Sequence, residues 1–187
     1  MGNVVLKTAL RTVLIVLIAL FMAFGVASIA FPQHMATLFE NMGAYSFATG
    51  YSGLAYAYKK STANLARCVD DSILAHDDEN IINYGEMLIA RNDFEEFASA
   101  EYKQFITGNL ACAKYNKGEK DSALEIAKNA MAGVEGFPKN NALAALAIRA
   151  AQKKDALVKE ELYKIIIEIV PTEEQTDYHG AVIAILT

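Results

Sequence analysis

Residues 12–31, TVLIVLIALFMAFGVASIAF, form one unbroken apolar run of twenty positions without a charge. At about 1.5 Å of rise per residue, a helix of that length matches the roughly 30 Å hydrocarbon core of a bilayer. Beyond residue 59 the pattern changes. Apolar positions recur every three or four residues, the period of helices with one buried face, and short polar clusters interrupt them: RND at 91–93, KGEK at 117–120, GFPKNN at 136–141 and QKKD at 152–155. Cap residues stand beside these breaks. Asp78 is placed to open a helix running to about Ala90, and Asp93 the next, with Glu96 at capping-box spacing. Ser122 with Glu125, Asn140 or Asn141, Asp155, and Thr172 with Gln175 are placed to open the later ones, and Pro171 to end the helix that Asp155 begins. No segment alternates β-branched and polar residues between hairpin turns, so strands are not expected. The pattern predicts an all-α chain: one transmembrane helix, then short antiparallel helices in an array or bundle.

The flanks of the apolar run suggest an orientation. Lys7 and Arg11 precede it, whereas the next cations in the chain are Lys59 and Lys60. Positive charge favours the cytoplasmic side, so residues 1–11 are expected in the cytoplasm, with the domain that follows extracytoplasmic. Two alternatives stand beside this single-pass topology. Ser28 and Ala30 form a small-x-small pattern that a signal peptidase could cut, although the length fits an uncleaved signal-anchor better. Residues 32–58 hold Glu40 as their only charge and are rich in tyrosine and glycine. A second crossing at 41–58 would make a hairpin with a cytoplasmic C-terminal domain. Few strongly apolar side chains drive that insertion, so a juxtamembrane helix kinked near Gly50 or Gly53 is expected instead. Met1-Gly2 lacks the Ser or Thr at position six of a myristoylation signal, Leu6 standing there.

Within residues 59–187 the sequence partly repeats. Leu110-Ala111 is followed by Ala123-Leu124, and Leu143-Ala144 by Ala156-Leu157, an offset of 33 positions. The unit at 107–135 resembles a tetratricopeptide helical hairpin, whose period is about 34 residues. Leu110-Ala111 stands where that family has Leu-Gly, Gly118 lies in the turn, and Ala123 and Ala130 occupy its small positions. A weaker second copy covers 140–170, and a looser echo places Tyr58, Lys60, Ala66 and Val69 against Tyr115, Lys117, Ala123 and Ile126. The departures are Lys114 and Ala127 where the family has aromatics, and Glu135 where it has its closing proline. The resemblance implies an α-solenoid whose first helices line a surface for a protein or peptide partner.

Composition narrows the function further. Hydrophobic residues make up 53% of the 187, enough for a real core. The formal net charge is −5 with lysines and arginines scattered, which argues against nucleic acid. His34, His76 and His179 lie far apart and none matches a metal motif. The run HDDEN at 76–80 is expected to be a solvated turn with a cap, because consecutive residues at a helix start point in different directions. No phosphate loop or nucleophile elbow occurs, so no catalytic, cofactor-binding or metal residue is assigned and no enzyme or cofactor is expected. Cys68 and Cys112 are compatible with a disulfide or with buried core thiols. Ala19, Ala23 and Ala27 recur every four residues in the span, a pattern that can form a homo-oligomer seam. The chain is therefore expected to be a membrane-anchored adaptor or scaffold. The alternative is a structural subunit of a membrane complex that makes contact through the span and residues 41–58.

Overall fold

The computed structural model describes residues 2–169 and 177–187, and among them all regular structure is helical. The first helix, α1 (Gly2–Ala30), contains Leu6–Ala30, a segment long and apolar enough to cross a membrane. Its side chains from Leu6 onward are exposed almost throughout, and its few hydroxyls bond back to its own carbonyls, Thr12 to Thr8 at 3.0 Å and Ser28 to Phe24 at 2.8 Å. Such self-satisfaction is what a helix surrounded by hydrocarbon requires.

Residues 32–58 form two helices rather than one. After α2 (Pro32–Asn41) the chain turns at Gly43 and returns as α3 (Tyr45–Tyr58). Helix α3 runs unbroken through both Gly50 and Gly53. Gly53 has a different use: a Cβ there would lie 2.7 Å from the Tyr84 hydroxyl, so its missing side chain permits close approach. There follow α4 (Thr62–Leu74), α5 (Asp78–Ile89), the single turn α6 (Phe94–Phe97), α7 (Ala100–Asn116), α8 (Lys120–Ala130), α9 (Ala142–Gln152), α10 (Ala156–Ile169) and α11 (Asp177–Leu186). Pro171, Thr172 and Gln175 lie outside the described residues.

Four of the connections share one geometry. Between α2 and α3, α4 and α5, α7 and α8, and α9 and α10, a single residue takes the left-handed conformation: Gly43, His76, Gly118 and Lys154, with φ of 70°, 54°, 91° and 54°. In each, the next amide reaches back five residues, from Ala44 to Phe39, Asp77 to Ser72, Glu119 to Lys114 and Asp155 to Ala150, at 2.8–3.0 Å. This is the Schellman closure, which satisfies helix-end carbonyls and reverses the chain in three residues.

These turns decide where helices begin, and several caps differ from the sequence expectation as a result. Asp77, not Asp78, caps α5. Helix α8 starts at Lys120 directly after its turn, so Ser122 lies inside it and caps nothing. The carboxylate of Asp93 takes hydrogen bonds from Arg91 and Thr62 instead of capping, α6 stops after four residues, and Ser99 caps the long α7. Asn141 and Asp155 do cap α9 and α10.

Each hairpin packs mainly on its neighbours in chain order: α2 on α3, α3 on α4, α4 on α5, α5 on α7, α7 and α8 on α9, and α9 on α10 and α11. Small residues set these approaches. Gly85 faces Leu110, a Cβ at Gly108 would meet the Ala142 backbone at 3.3 Å, and Ala111, Ala123, Ala127 and Ala147 are fully buried. One apolar cluster joins α4, α5, α6 and α7 around Leu65, Leu88 and Ile106, and another joins α7 to α11 around Leu143, Leu146 and Leu162. His179 is fully buried, edge-on at 5.2 Å to Phe137 of the second cluster, and burial pushes its pKa down.

Candidate functional site

Helix α7 is seventeen residues long, and Ser99, which caps it, follows the short α6. Its inward face carries Ile106, Leu110 and Ala113, with half-buried Tyr102 one turn before Ile106 on the same stripe and packed on the edge of the core, while Phe105 faces outward. Phe97, on α6, stands beside them, with ring centroids 6.4 Å from Phe97 to Tyr102 and 6.3 Å from Tyr102 to Phe105. Phe97 and Phe105 are each 44% exposed. Two half-exposed phenyl rings thus flank a tyrosine that is anchored in the core edge, an apolar patch of the kind that marks a contact surface when it is contiguous.

Clefts lie on both sides of this ladder. A cavity of about 440 Å³ between α4 and α7 is lined by Ala63, Arg67, Asp70, Phe97 and Tyr102. A second, of about 670 Å³, runs from Tyr102 and Phe105 to Val134 and Pro138 in the loop before α9. Gln104 holds that loop in place: it donates to the Ala130 carbonyl and accepts from the Ala142 amide at 3.0 Å. The Tyr102 hydroxyl donates to Asp70 at 3.0 Å. Burial raises the Asp70 carboxyl to about 6 against the pull of that hydrogen bond, with nearby Glu40 adding to the rise. Burial and the Asp70 charge push Tyr102 up as well. Chemically this is a recognition surface: π faces for apolar or cationic groups, beside a half-buried carboxylate that favours a cation.

The polar residues singled out in the sequence are absorbed by structure. In the HDDEN run, His76 makes the left-handed turn, Asp77 caps α5 and binds Asn80, and Asp78 accepts from Asn116 at 3.0 Å. Lys114, where a tetratricopeptide aromatic would stand, is buried and bridges Glu86 at 2.6 Å and Glu119 at 2.8 Å, so an ion pair joins α5 to the α7–α8 turn. Tyr115 packs in the core and donates to Asp155 at 3.0 Å. Cys68 is buried and Cys112 half-buried, and the two are not bonded to each other; burial pushes the Cys68 thiol up to about 12. Among the described residues no group of three His, Cys, Asp or Glu side chains is placed to hold a metal.

Phe97, Tyr102 and Phe105 were not picked out from sequence. The spacing of Tyr102 and Phe105, three apart, was visible, but a helix starting at Asp93 hides which face they share, and Asp70 is 32 positions away. Comparison with protein families, curated proteins and solved structures finds no match for this chain.

Proposed function

We propose that this chain is a membrane-anchored helical interaction module, held by α1 with its body on the extracytoplasmic side, that docks a protein segment on the aromatic face of α7. The half-exposed rings of Phe97 and Phe105 on either side of Tyr102, whose hydroxyl meets the Asp70 carboxylate, carry this reading. Tetratricopeptide-like stacking is part of the proposal. It is supported by four hairpins with the same closure, and by α7 packing on both its hairpin partner α8 and the next first helix α9. The module binds through surface and brings no catalytic group of its own. Its orientation rests on Lys7 and Arg11 before the span, and a reporter fused after Thr187 tests it.

Binding is tested by placing a photo-crosslinking benzoylphenylalanine at Phe105 in the full-length protein in its own membrane. A discrete adduct is expected, and Phe97→Ala with Tyr102→Ala should weaken it at least about fivefold, since buried aromatic anchors commonly contribute more than ~1 kcal/mol each. No adduct from Phe105, with strong adducts from span positions such as Leu17, would favour the structural-subunit reading instead. That second reading draws on the fully exposed span with its Ala19, Ala23 and Ala27 spacing.

A further inference from the structure

The span and the folded body meet at one residue. Phe31 alone separates α1 from α2, with φ −132° and ψ 58°, and Pro32 opens the next helix. Whatever surrounds that residue stands at the depth where the span leaves the hydrocarbon.

Three polar contacts bring the far end of α3 to this point. The Gln33 side-chain amide donates to Asn64 at 3.0 Å, and Asn64 in turn donates to the carbonyls of Lys59 at 2.9 Å and Ala55 at 3.3 Å. The α3–α4 corner is thereby tied to the first turn of α2. A cavity of about 190 Å³ lies between them, lined by Phe31, His34, Tyr58 and Lys59 among others. Phe31 is 58% exposed and Tyr58 60% exposed, and the Phe31 ring meets His34 edge-on at 6.0 Å. Lys59 and Lys60 are exposed, and neither shares an ion pair among the described residues. Arg91 donates to the Lys60 carbonyl at 3.4 Å, but its charge is matched by Asp93 at 2.9 Å.

We infer that this corner seats the body on the headgroups of the same bilayer that α1 crosses, with Phe31 and Tyr58 at the interface and Lys59 and Lys60 on anionic phospholipid. Amphipathic aromatics favour the headgroup level, and lysine can lay its stem on apolar surface while its ammonium reaches phosphate. The occupant follows from continuity with the span, since no intervening linker lets the corner leave the membrane surface, and from charge, since Lys59 lines the corner and both it and the adjacent Lys60 are exposed with no ion pair among the described residues. The seat rests on the transmembrane reading of α1 and not on its orientation: with Lys59 and Lys60 at the surface the two flanks carry like charge, and the reporter after Thr187 decides the side.

The chain has no tryptophan, so Tyr58→Trp supplies a single reporter at an exposed position. The full-length variant is placed in nanodiscs of phosphatidylcholine and phosphatidylglycerol carrying lipids brominated near the carbonyl end of the acyl chain. Blue-shifted emission and strong quenching are expected, while Phe105→Trp stays unquenched and Leu17→Trp is quenched by lipids brominated deeper. Adding Lys59→Glu and Lys60→Glu should reduce the Tyr58→Trp quenching, since each lysine at an anionic surface strengthens attachment roughly fivefold. The seat is overturned if Tyr58→Trp is quenched no more than Phe105→Trp while Leu17→Trp is quenched, or if charge reversal changes nothing in the anionic discs. A Leu17→Trp that escapes quenching overturns the span itself, a separate result.

Discussion

At the scale of residues, the unusual chemistry lies in two neighbouring carboxyls on α4. Asp71 is 2% exposed and accepts from Ser52 on α3, and burial, with Glu40 nearby, raises it to about 6 against the pull of Ser52 and Arg67. Asp70 is raised to about 6 as well. Since both lie above the ordinary value of 3.8, the folded chain binds these protons more tightly than the unfolded one. Their contribution is full below about 4, declines as pH rises, and is lost above about 6. Asp93 is held down to about 2 and Asp155 is also lowered, so these two work the other way below about 4. Thermal melts should therefore show a higher Tm near pH 5 than at pH 7.5. Asp71→Asn, which keeps an acceptor for Ser52, should raise the pH 7.5 melt by about 2–4 °C for each ~1 kcal/mol recovered and flatten the pH dependence. A melt that rises steadily from pH 5 to 8 would contradict the assignment.

At the scale of elements, the recurring turn makes a sharper prediction than the caps do. Two of its four left-handed positions are glycine and two are not. A side chain in that conformation costs about 1–2 kcal/mol, so His76→Gly and Lys154→Gly should each raise the midpoint of urea unfolding, and Gly118→Val should lower it. The same turn explains what the sequence made legible. That the body is helical was readable from apolar period and polar breaks, and Asn141 and Asp155 were readable as caps, but the division into α6 and α7 at Ser99 was not. Asp78 and Ser122 were displaced because a three-residue closure fixes the next helix start before any side-chain cap can act. Gly43 was overlooked as a hairpin turn because an uncharged stretch offers no polar break, and Gly50 and Gly53 looked equally suited to a bend. The aromatic face was hidden for a tertiary reason: α4 supplies its carboxylate, and α6 and α7 its rings.

At the scale of the molecule, the body includes more of the chain than its charged residues outline. Helix α3 packs its Ala48, Ser52 and Ala55 inward, and Ser52 meets Asp71 across the contact with α4. A fragment of residues 59–187 would expose that face of α4, including a buried carboxyl that has lost its partner. It should sediment as aggregates or run as broad oligomers, whereas residues 32–187 should run as a discrete species on size exclusion. Equal behaviour of the two fragments would show that α2 and α3 are dispensable. Aggregation of the shorter one thus reports a missing helix, and says nothing by itself about a membrane complex.

The Schellman closures have one more consequence, for the order of assembly. Each forms from residues at most five apart in sequence, and each hairpin finds its main neighbours among those just made. Such local topology folds quickly and can proceed during synthesis, from the N-terminal side onward. The α2–α3 hairpin, emerging directly behind the span, becomes the template on which α4 and α5 condense, and α11 later packs over α9 and α10. A ribosome stalled after any hairpin would leave one apolar flank uncovered, so nascent chains of graded length should bind chaperone in steps, losing and regaining it as each pair closes.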